Sequence, residues 1–253
     1  MIDTHAHLYS EQFYDDADKV IADAVRVGIT KFVVPSVDSK SYVDMTSLCK
    51  KYRGLCFPCI GLHPVSIDEN HEKELAFVEE KAKTEKFYAI GETGIDCYWS
   101  LKYLDRQRQA FEYQVRLALK LDLPIIIHAR NSFDEIYKIL DRKAGGVRGV
   151  FHGFSGTIDD YEKIKTYGTF KIGIGGPITF KNSILPDIVR RMRLEDIVLE
   201  TDAPYLAPHP RRGKRNEPAY MRSVAEKTAE IKNVDFSEVD RITTENAEKM
   251  FGI

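Results

Sequence analysis

Short apolar runs alternate with helix-like segments along the whole chain, and this alternation restricts the possible folds more than any other feature. Residues 32–37 form a β-rich run, and residues 39–52 after it have a helical pattern. Residues 124–127 are wholly apolar, as expected for a parallel strand that is covered on both faces. Eight strand–helix units predict an α/β fold of the (β/α)8 TIM barrel type, with a doubly wound sheet as the alternative.

The pattern also predicts the bounds of each element. The predicted strands are residues 1–5, 32–37, 55–61, 87–91, 124–127, 149–151, 170–174 and 197–199. The predicted helices are residues 12–27, 39–52, 73–84, 105–121, 132–142, 158–166, 184–192 and 218–231. An extra C-terminal helix without its own strand follows, with Thr243 or Thr244 as its N-cap and residues 247–250 within it.

Composition indicates one ordinary globular domain over residues 1–253. A barrel of a single domain has about this length, and no Pro/Gly/Ser-rich linker or low-complexity run interrupts the chain. Apolar residues make up 43% of the chain and charged residues 30%, which is enough apolar material for a large core. The net charge of −2 does not indicate a polyanionic partner, so any contact with nucleic acid must come from a local patch.

The N-terminal residues, the lengths of the apolar runs and the cysteines indicate the cellular location to expect. The start lacks the pattern of a signal peptide, and no apolar run approaches the roughly 18 residues of a membrane span. We therefore expect a soluble, cytoplasmic protein whose four cysteines are free thiols. Cys56 and Cys59 have the spacing of a redox or zinc pair, but they lie in a predicted buried strand and are interpreted as structural.

Metal-ligating side chains recur where the predicted strands end. Their separations correspond to whole numbers of strand–helix units, each about 31 residues long in a chain of this length. Because a barrel places active groups at the carboxyl ends of its strands, these side chains should converge on one rim. They are His5, His7, His63, Glu92, His128, His152 and Asp202.

Imidazoles and carboxylates are the ligands of borderline metals such as zinc, so the set predicts a metal centre. His5 and His7 are one residue apart on an extended segment, which directs both rings to the same side. The candidates outnumber the four ligands of one tetrahedral ion. Two ions with a bridging carboxylate are the simpler interpretation.

The motifs around these residues resemble those of the TatD family of metal-dependent deoxyribonucleases. The resemblance extends over the whole chain, and its motifs occur in a single order. They are His5-Ala6-His7-Leu8, Gly61-Leu62-His63-Pro64, Gly91-Glu92-Thr93-Gly94-Ile95-Asp96, Pro124-Ile125-Ile126-Ile127-His128-Ala129-Arg130, His152-Gly153-Phe154-Ser155-Gly156 and Glu200-Thr201-Asp202-Ala203-Pro204-Tyr205-Leu206, with Thr244-Glu245-Asn246-Ala247 near the end. Gly153 and Cys97 depart from the family pattern, but neither stands at a ligand position.

The resemblance implies two divalent cations, such as Zn²⁺, Mn²⁺ or Mg²⁺, and a nucleic acid substrate. It implies hydrolysis of DNA phosphodiester bonds, usually as an exonuclease on single-stranded DNA. The implied ligands of one ion are His5, His7, Glu92 and Asp202, and those of the other are Glu92, His128 and His152.

Three further residues are expected to act in catalysis. Asp202 is the candidate general base, because one carboxylate oxygen can bind a metal while the other accepts a proton from water. Glu200 lies two residues earlier and is expected either to orient the water or a ligand, or to pair with a cation in the barrel interior. His63 is assigned to contact the scissile phosphate or to donate a proton to the leaving group.

Cations and aromatic residues near the same strand ends are candidate substrate contacts. The segment 210–217 follows the eighth strand and carries Arg211, Arg212, Lys214 and Arg215. These cations and Arg130 could bind phosphates, unless the segment is simply a solvated basic loop. Tyr98 and Trp99 follow the fourth strand, where they could stack on bases or instead pack under a loop.

Two other functions remain open. One is a small-molecule amidohydrolase that cleaves an amide or a lactone on the same barrel. The other is a non-catalytic binding protein with a structural metal, although structural zinc sites are normally closed and four-coordinate, unlike this larger set. No obligate protein partner is evident from the sequence.

Overall fold

The computed structural model describes residues 1–142 and 145–253 and contains the predicted alternation. The strands are β1 (Ile2–Asp3), β2 (Lys31–Pro35), β3 (Cys56–Cys59), β4 (Ile90–Asp96), β5 (Ile125–Arg130), β6 (Gly149–His152), β7 (Phe170–Ile174) and β8 (Ile197–Leu199). The α-helices are α1 (Ala17–Arg26), α2 (Ser39–Lys51), α3 (His71–Thr84), α4 (Leu104–Leu121), α5 (Phe133–Leu140), α6 (Ile158–Tyr167), α7 (Leu185–Arg191), α8 (Met221–Lys232) and α9 (Phe236–Phe251).

Each strand is followed by a helix, and the strands pair in chain order. The strand orders are β1-β2-β3 in one sheet and β4-β5-β6-β7-β8 in the other. The registers of β1 with β2, β4 with β5, β5 with β6, and β7 with β8 are all parallel. A parallel pair requires a crossover connection, and the helices provide these crossovers.

The chain divides into two compact units. The first unit comprises Met1–Val34, Ser47–Phe57 and Lys171–Ile253. In this unit the end of β1 lies beside the end of β8. The backbone N–H of Thr4, just after β1, donates a hydrogen bond to Leu199 O in β8 at 3.0 Å. Val20, Ile21 and Ala24 of α1 are buried, and their spacing places them on one face of the helix.

The second unit comprises Pro35–Thr46 and Pro58–Phe170. Its core includes β5, in which Ile125, Ile126 and Ile127 are fully buried. Burying a side chain of this size contributes about 1.5–3 kcal/mol, which accounts for the uninterrupted apolar run in the sequence. The prediction of a single domain over residues 1–253 stays a prediction.

Three helix starts were predicted wrongly by three or more residues. Helix α8 begins at Met221 rather than residue 218, because the 3₁₀ turn Pro218–Tyr220 precedes it. Helix α1 begins at Ala17 rather than residue 12, because a separate 3₁₀ turn, Glu11–Phe13, precedes it. Helix α9 begins at Phe236 after the N-cap Asp235, so Thr243 and Thr244 lie inside it and do not cap it. The apolar spacing that begins at Phe236 continues through the helix, and Thr243 donates its hydroxyl to Val239 O at 2.7 Å.

The remaining expectations concern cysteines and membrane spans. Cys49, Cys56, Cys59 and Cys97 are thiols that form no disulfide, and Cys56 and Cys59 are buried in β3. Burial raises the pKa of the Cys56 thiol to about 12, which keeps it protonated and supports a structural role. Among residues 1–142 and 145–253, no helix is both long and apolar enough to cross a membrane.

Candidate metal centre

The first donor cluster consists of His5, His7 and Asp202, all in the first unit. The two Nε2 atoms of His5 and His7 are 3.1 Å apart. Asp202 Oδ1 lies 3.9 Å from His5 Nε2 and 3.6 Å from His7 Nε2. Both imidazoles are buried, whereas the Asp202 side chain is 16% exposed, so this carboxylate is the member of the cluster that water can reach.

Backbone contacts between the segments after β1 and β8 position this cluster. The N–H of Asp202 donates to His5 O at 2.8 Å, and Ala6 forms a parallel bridge with Ala203. The backbone of Asp202 is left-handed, with φ 57°, which is uncommon outside glycine and turns its side chain away from the regular alternation of a strand.

Asp3 is buried and forms hydrogen bonds with the segments that follow β1 and β8. Its carboxylate accepts hydrogen bonds from the Thr201 hydroxyl at 2.6 Å and from the N–H groups of Thr201 and His5 at 3.0 and 3.3 Å. Burial raises the pKa of Asp3 to about 7, although these hydrogen bonds act in the opposite direction. Asp3 therefore links the two backbone segments that carry the donors.

The second donor cluster consists of His63, Glu92, His128 and His152, all in the second unit. Glu92 is 3% exposed, and its Oε1 faces three imidazole nitrogens. The distances from Oε1 are 3.1 Å to His128 Nδ1, 3.3 Å to His63 Nε2 and 3.7 Å to His152 Nε2. A single buried carboxylate oxygen therefore lies within 4 Å of three potential metal ligands.

The spacing of both clusters fits the ligand shell of a divalent cation. Ligand atoms at tetrahedral positions about 2.0–2.1 Å from zinc are roughly 3.3 Å from one another. The donor separations in the two clusters, from 3.1 to 3.9 Å, lie near that value. Imidazole nitrogens and carboxylate oxygens are also suitable donors, so the residues present could hold metal ions.

Strand β4 extends through Asp96 and does not end at residue 91 as predicted, so Glu92 lies within the strand. Between Ile90 and Thr93 it contains one more residue than the paired part of β5, and Glu92 lies in this irregularity. Gly94 pairs with His128, and a Cβ at Gly94 would lie 1.9 Å from His128 O. Only glycine permits this close approach, which brings the donor-bearing strands together.

Helix α4 supports the second cluster from outside the strands. The buried Gln114 side chain accepts a hydrogen bond from Leu62 N at 2.8 Å and donates to Thr93 Oγ1 at 2.6 Å. One amide therefore holds both the residue before His63 and the residue after Glu92. No local sequence pattern indicates this contact, because Gln114 lies far from both partners in the chain.

Asp96, for which no role was predicted from the sequence, also lies at this site. It is 1% exposed, and its Oδ2 lies 2.9 Å from His128 Nε2. Burial tends to raise the pKa of Asp96, but hydrogen bonds from His128 and from the backbone of Trp99 and Tyr98 lower it overall. The four-residue separation of Asp96 from Glu92 was a usable signal, since alternate residues of a strand share a face.

The pKa of His128 is shifted in the opposite direction, upwards. Burial acts to lower the pKa of its imidazole, but hydrogen bonds to Asp96 and Glu92 raise it overall. His128 in the metal-free protein therefore holds a proton more strongly than an ordinary histidine. Metal binding has to compete with that proton.

The hydrogen bonding of His63 constrains its chemistry. Its Nδ1 accepts a hydrogen bond from the backbone N–H of Val65 at 3.1 Å. Because that N–H can only donate, Nδ1 carries no hydrogen in this conformation, and the neutral ring bears its hydrogen on Nε2. The Nε2–H group points towards Glu92, so His63 presents a hydrogen-bond donor to the cluster.

The predicted aromatic and arginine contacts lie together in the second unit. Tyr98 and Trp99 are 54% and 66% exposed, so they do not pack under a loop. The guanidinium of Arg130 lies over both rings, 3.8 Å from the Tyr98 centroid and 5.3 Å from the Trp99 centroid. We refer to these three residues as the platform.

The basic segment 210–217 contains two kinds of cation. Arg211 and Arg212 are exposed and stack on Tyr220 and Phe180, at 4.2 and 4.6 Å from the ring centroids, and Lys214 is also exposed.

Arg215 differs from the other three cations in this segment. Its guanidinium contacts both carboxylate oxygens of Asp16, at 2.9 and 2.7 Å, and also Glu217. The charge of Arg215 is therefore engaged within the protein, and the structure gives no support to its predicted contact with phosphate.

Glu200 is buried at the end of β8, and its side chain lies over the backbone of β7. A Cβ at Gly173 would meet Glu200 Oε2 at 2.2 Å, so the absence of a side chain there makes room for the carboxylate. This placement is compatible with both roles expected for Glu200, in orienting a ligand and as an interior carboxylate.

Comparison with known proteins identifies the relatives of this chain. The family model described as TatD related DNase matches residues 2–252. An uncharacterized metal-dependent hydrolase of Bacillus subtilis, YabD, is 38% identical over 255 residues, which cover 100% of this chain and 99% of YabD. Its counterpart YcfH from Escherichia coli is 32% identical over 258 residues, covering 100% of this chain and 96% of YcfH.

A solved structure gives the same result. The crystal structure of YjjV, a TatD homolog from Escherichia coli, matches with a TM-score of 0.91 and 28% identity, covering 100% of this chain and 98% of YjjV. The fold and the buried donors define the class of protein, a metal-dependent hydrolase on a (β/α)8 TIM barrel. The chain belongs to the TatD-related DNase family. The predicted fold class and the family resemblance are confirmed.

Proposed function

We propose that this protein hydrolyses DNA phosphodiester bonds as an exonuclease on single-stranded DNA, using divalent metal ions. The observation that carries the proposal is the pair of donor clusters with metal-ligand spacing in a chain of the TatD-related DNase family. Bound ions would supply an activated water at neutral pH and would neutralise charge that develops on the phosphate oxygens.

We assign the ligands by cluster. His5, His7 and Asp202 would hold one ion, because their donor atoms form one compact group. Glu92, His128 and His152 would hold the other, as the family resemblance implies, and Glu92 Oε1 lies 3.1 and 3.7 Å from the two histidines. The family resemblance additionally implies that Glu92 serves both ions. Zn²⁺ and Mn²⁺ suit the imidazole-rich set better than Mg²⁺ does.

Asp202 is the proposed general base. Its carboxylate is the exposed member of the first cluster, and one oxygen can face the histidines while the other accepts a proton from the attacking water. Glu200, buried two residues earlier, orients a ligand or the water.

His63 contacts the scissile phosphate. Its Nδ1 accepts a hydrogen bond from Val65, which leaves Nε2–H to donate to a phosphate oxygen. This arrangement favours a neutral hydrogen-bond donor over proton donation to the leaving group, because the doubly protonated ring would place a hydrogen against the N–H of Val65.

Substrate recognition is assigned to the platform and to the basic segment. A base can stack on Tyr98 or Trp99 while Arg130 contacts an adjacent phosphate. Arg211, Arg212 and Lys214 are exposed and can contact the phosphates of the strand. Arg215 instead holds the segment in place through Asp16. We also propose a cytoplasmic location, which the free cysteines support.

A cleavage assay tests the proposal. The metal-stripped protein is incubated with end-labelled single-stranded DNA, duplex DNA and RNA, with Mg²⁺, Mn²⁺ or Zn²⁺ added separately. We expect metal-stimulated, stepwise shortening of single-stranded DNA, and no shortening by a Glu92→Gln preparation purified in parallel. Absence of cleavage with every metal refutes the nuclease proposal. Turnover of a lactone or amide panel instead would favour the small-molecule amidohydrolase.

A further inference from the structure

Asp96 connects two parts of the second unit that have separate proposed roles. It is the last residue of β4 and is almost completely buried. One carboxylate oxygen, Oδ2, lies 2.9 Å from His128 Nε2. The other, Oδ1, accepts hydrogen bonds from the backbone N–H groups of Tyr98 at 2.8 Å and Trp99 at 3.1 Å.

The contact with Oδ2 determines which nitrogen of His128 can bind a metal. An ionised carboxylate only accepts hydrogen bonds, so His128 Nε2 carries a hydrogen and donates it to Asp96. The remaining nitrogen, Nδ1, faces Glu92 Oε1 at 3.1 Å. When the ring is neutral, the lone pair on Nδ1 is therefore directed at the second donor cluster.

The contact with Oδ1 fixes the start of the loop after β4. With the N–H groups of Tyr98 and Trp99 both bound to one oxygen, the two side chains project beside Arg130. Arg130 itself lies opposite Asp96 in the register of β4 and β5, two residues beyond His128. The platform and the histidine thus depend on the same carboxylate.

We propose that Asp96 is a positioning residue that fixes His128 as an Nδ1 metal donor and holds the platform beside it. This inference rests on the proposed function for the roles of the cluster and the platform. It assigns to one buried side chain both the orientation of a metal ligand and the placement of the aromatic rings that would receive a base.

Two substitutions separate the two contacts. In Asp96→Asn, the amide oxygen stays on the side of the Tyr98 and Trp99 N–H groups, because those donors would repel the NH₂ group. The NH₂ group then faces His128 Nε2 and donates to it, which moves the ring hydrogen to Nδ1 and blocks the metal-binding lone pair. Asp96→Ala removes both contacts. Asp105→Asn, an exposed change in α4, is the matched control.

The first measurement is of metal binding and histidine tautomers. Zn²⁺ titrations in a chelator buffer are followed by the ¹⁵N signals of the His128 ring. For Asp96→Asn we expect the ring hydrogen on Nδ1 in the metal-free protein and a 10- to 100-fold weaker Zn²⁺ affinity at His128. Wild-type signals and affinity in this variant would overturn the assignment of Asp96 to His128.

The second measurement uses Trp99, which is the only tryptophan in the chain. Its fluorescence and acrylamide quenching report the platform without metal or turnover. We expect wild-type values in Asp96→Asn and altered values in Asp96→Ala, together with weaker binding of a short oligothymidylate by the Ala variant. Wild-type fluorescence, quenching and binding in Asp96→Ala would overturn the link to the platform. If Asp96→Ala does not fold, Asp96→Leu replaces it, because it also removes the acceptor of both N–H groups but keeps the size of the side chain. Wild-type quenching and oligothymidylate binding in that variant would overturn the link.

These readouts do not require hydrolysis, so the two proposals can fail separately. A protein that cleaves no DNA, but loses Zn²⁺ affinity in Asp96→Asn, would refute the nuclease proposal and leave this inference standing. A protein that cleaves DNA, but whose Asp96→Asn variant keeps the wild-type His128 ring signals and Zn²⁺ affinity, would support the nuclease proposal and refute this inference.

Discussion

The strongest prediction concerns Glu92→Gln. The substitution keeps the shape of the side chain but removes its negative charge and replaces one oxygen with an NH₂ group. In the structure, Glu92 Oε1 faces the imidazole nitrogens of His63, His128 and His152 at 3.1–3.7 Å. Because the side chain is 3% exposed, solvent cannot replace the lost charge. We expect the variant to lose metal affinity rather than to unfold.

The magnitude can be estimated from linkage. For a site with a Kd of about 10 µM, metal at about 1 mM stabilises the native state by about 2.7 kcal/mol. In a chain of 253 residues this raises Tm by about 5–11 °C. Loss of a charged ligand should weaken binding by about 100-fold or more, and the same metal concentration then contributes about 0.4 kcal/mol. The expected shift in the variant is about 1 °C.

The assay is thermal unfolding of the metal-stripped protein with increasing Mn²⁺ or Zn²⁺, paired with elemental analysis after dialysis. The exposed Glu72→Gln change in α3 serves as the matched control and should retain the full shift. A Glu92→Gln protein with the wild-type shift and the wild-type metal content would refute the placement of Glu92 in the metal centre.

Three other predictions follow from the structure. Replacing Arg211 and Arg212 with Ala should weaken single-stranded DNA binding and reduce the slope of log K against log salt by about 1.4, measured by fluorescence anisotropy; an unchanged slope would indicate a loop that is only solvated. Gly94→Ala should destabilise the fold by about 3 kcal/mol or more in urea unfolding, because the new Cβ would lie 1.9 Å from a backbone oxygen of β5; a loss under 1 kcal/mol would contradict this packing. Hydrogen bonds, chiefly from Arg108, lower the pKa of Glu135 to about 2, so its stabilisation is present above about pH 4.5 and is lost as the pH falls through 2. After solvent screening, the interaction of Glu135 with Arg108 contributes about 1 kcal/mol to the free energy of unfolding. In Glu135→Gln the free energy of unfolding should therefore fall less steeply as the pH is lowered from about 4.5 to 2. The same pH dependence in both proteins would contradict a stabilising Glu135–Arg108 pair.

The sequence was sufficient for the order of the elements and for several of their bounds. Strands β7 and β8 were predicted to the residue, because each is a short β-rich segment bounded by the local signals of the chain. Their alternation with helices identified the fold class, which depends on connection lengths that can be read directly from the chain. The prediction that the last helix starts at Thr243 or Thr244 was wrong, since the apolar face of α9 already begins at Phe236.

The candidate ligands were also accessible from the sequence, because strand ends mark where side chains of a parallel sheet converge. Their mutual distances were not accessible. The three nitrogens around Glu92 belong to segments that are dozens of residues apart, and the extra residue in β4 that contains Glu92 is defined only by pairing with β5. Likewise, Arg215 pairs with Asp16 from a position 199 residues away, which no local pattern indicates.

The sequence by itself therefore determined the fold class, the family and the residue types of the candidate metal centre, all of which are encoded in local periodicity and in ordered motifs. Only the tertiary structure decided which groups those residues contact. It showed that Asp96 forms a hydrogen bond with His128 and that the backbone N–H of Val65 donates to His63 Nδ1. It also showed that the guanidinium of Arg215 pairs with Asp16. The physical reason is that hydrogen bonds and ion pairs depend on distances of a few ångströms between groups that are distant in the chain.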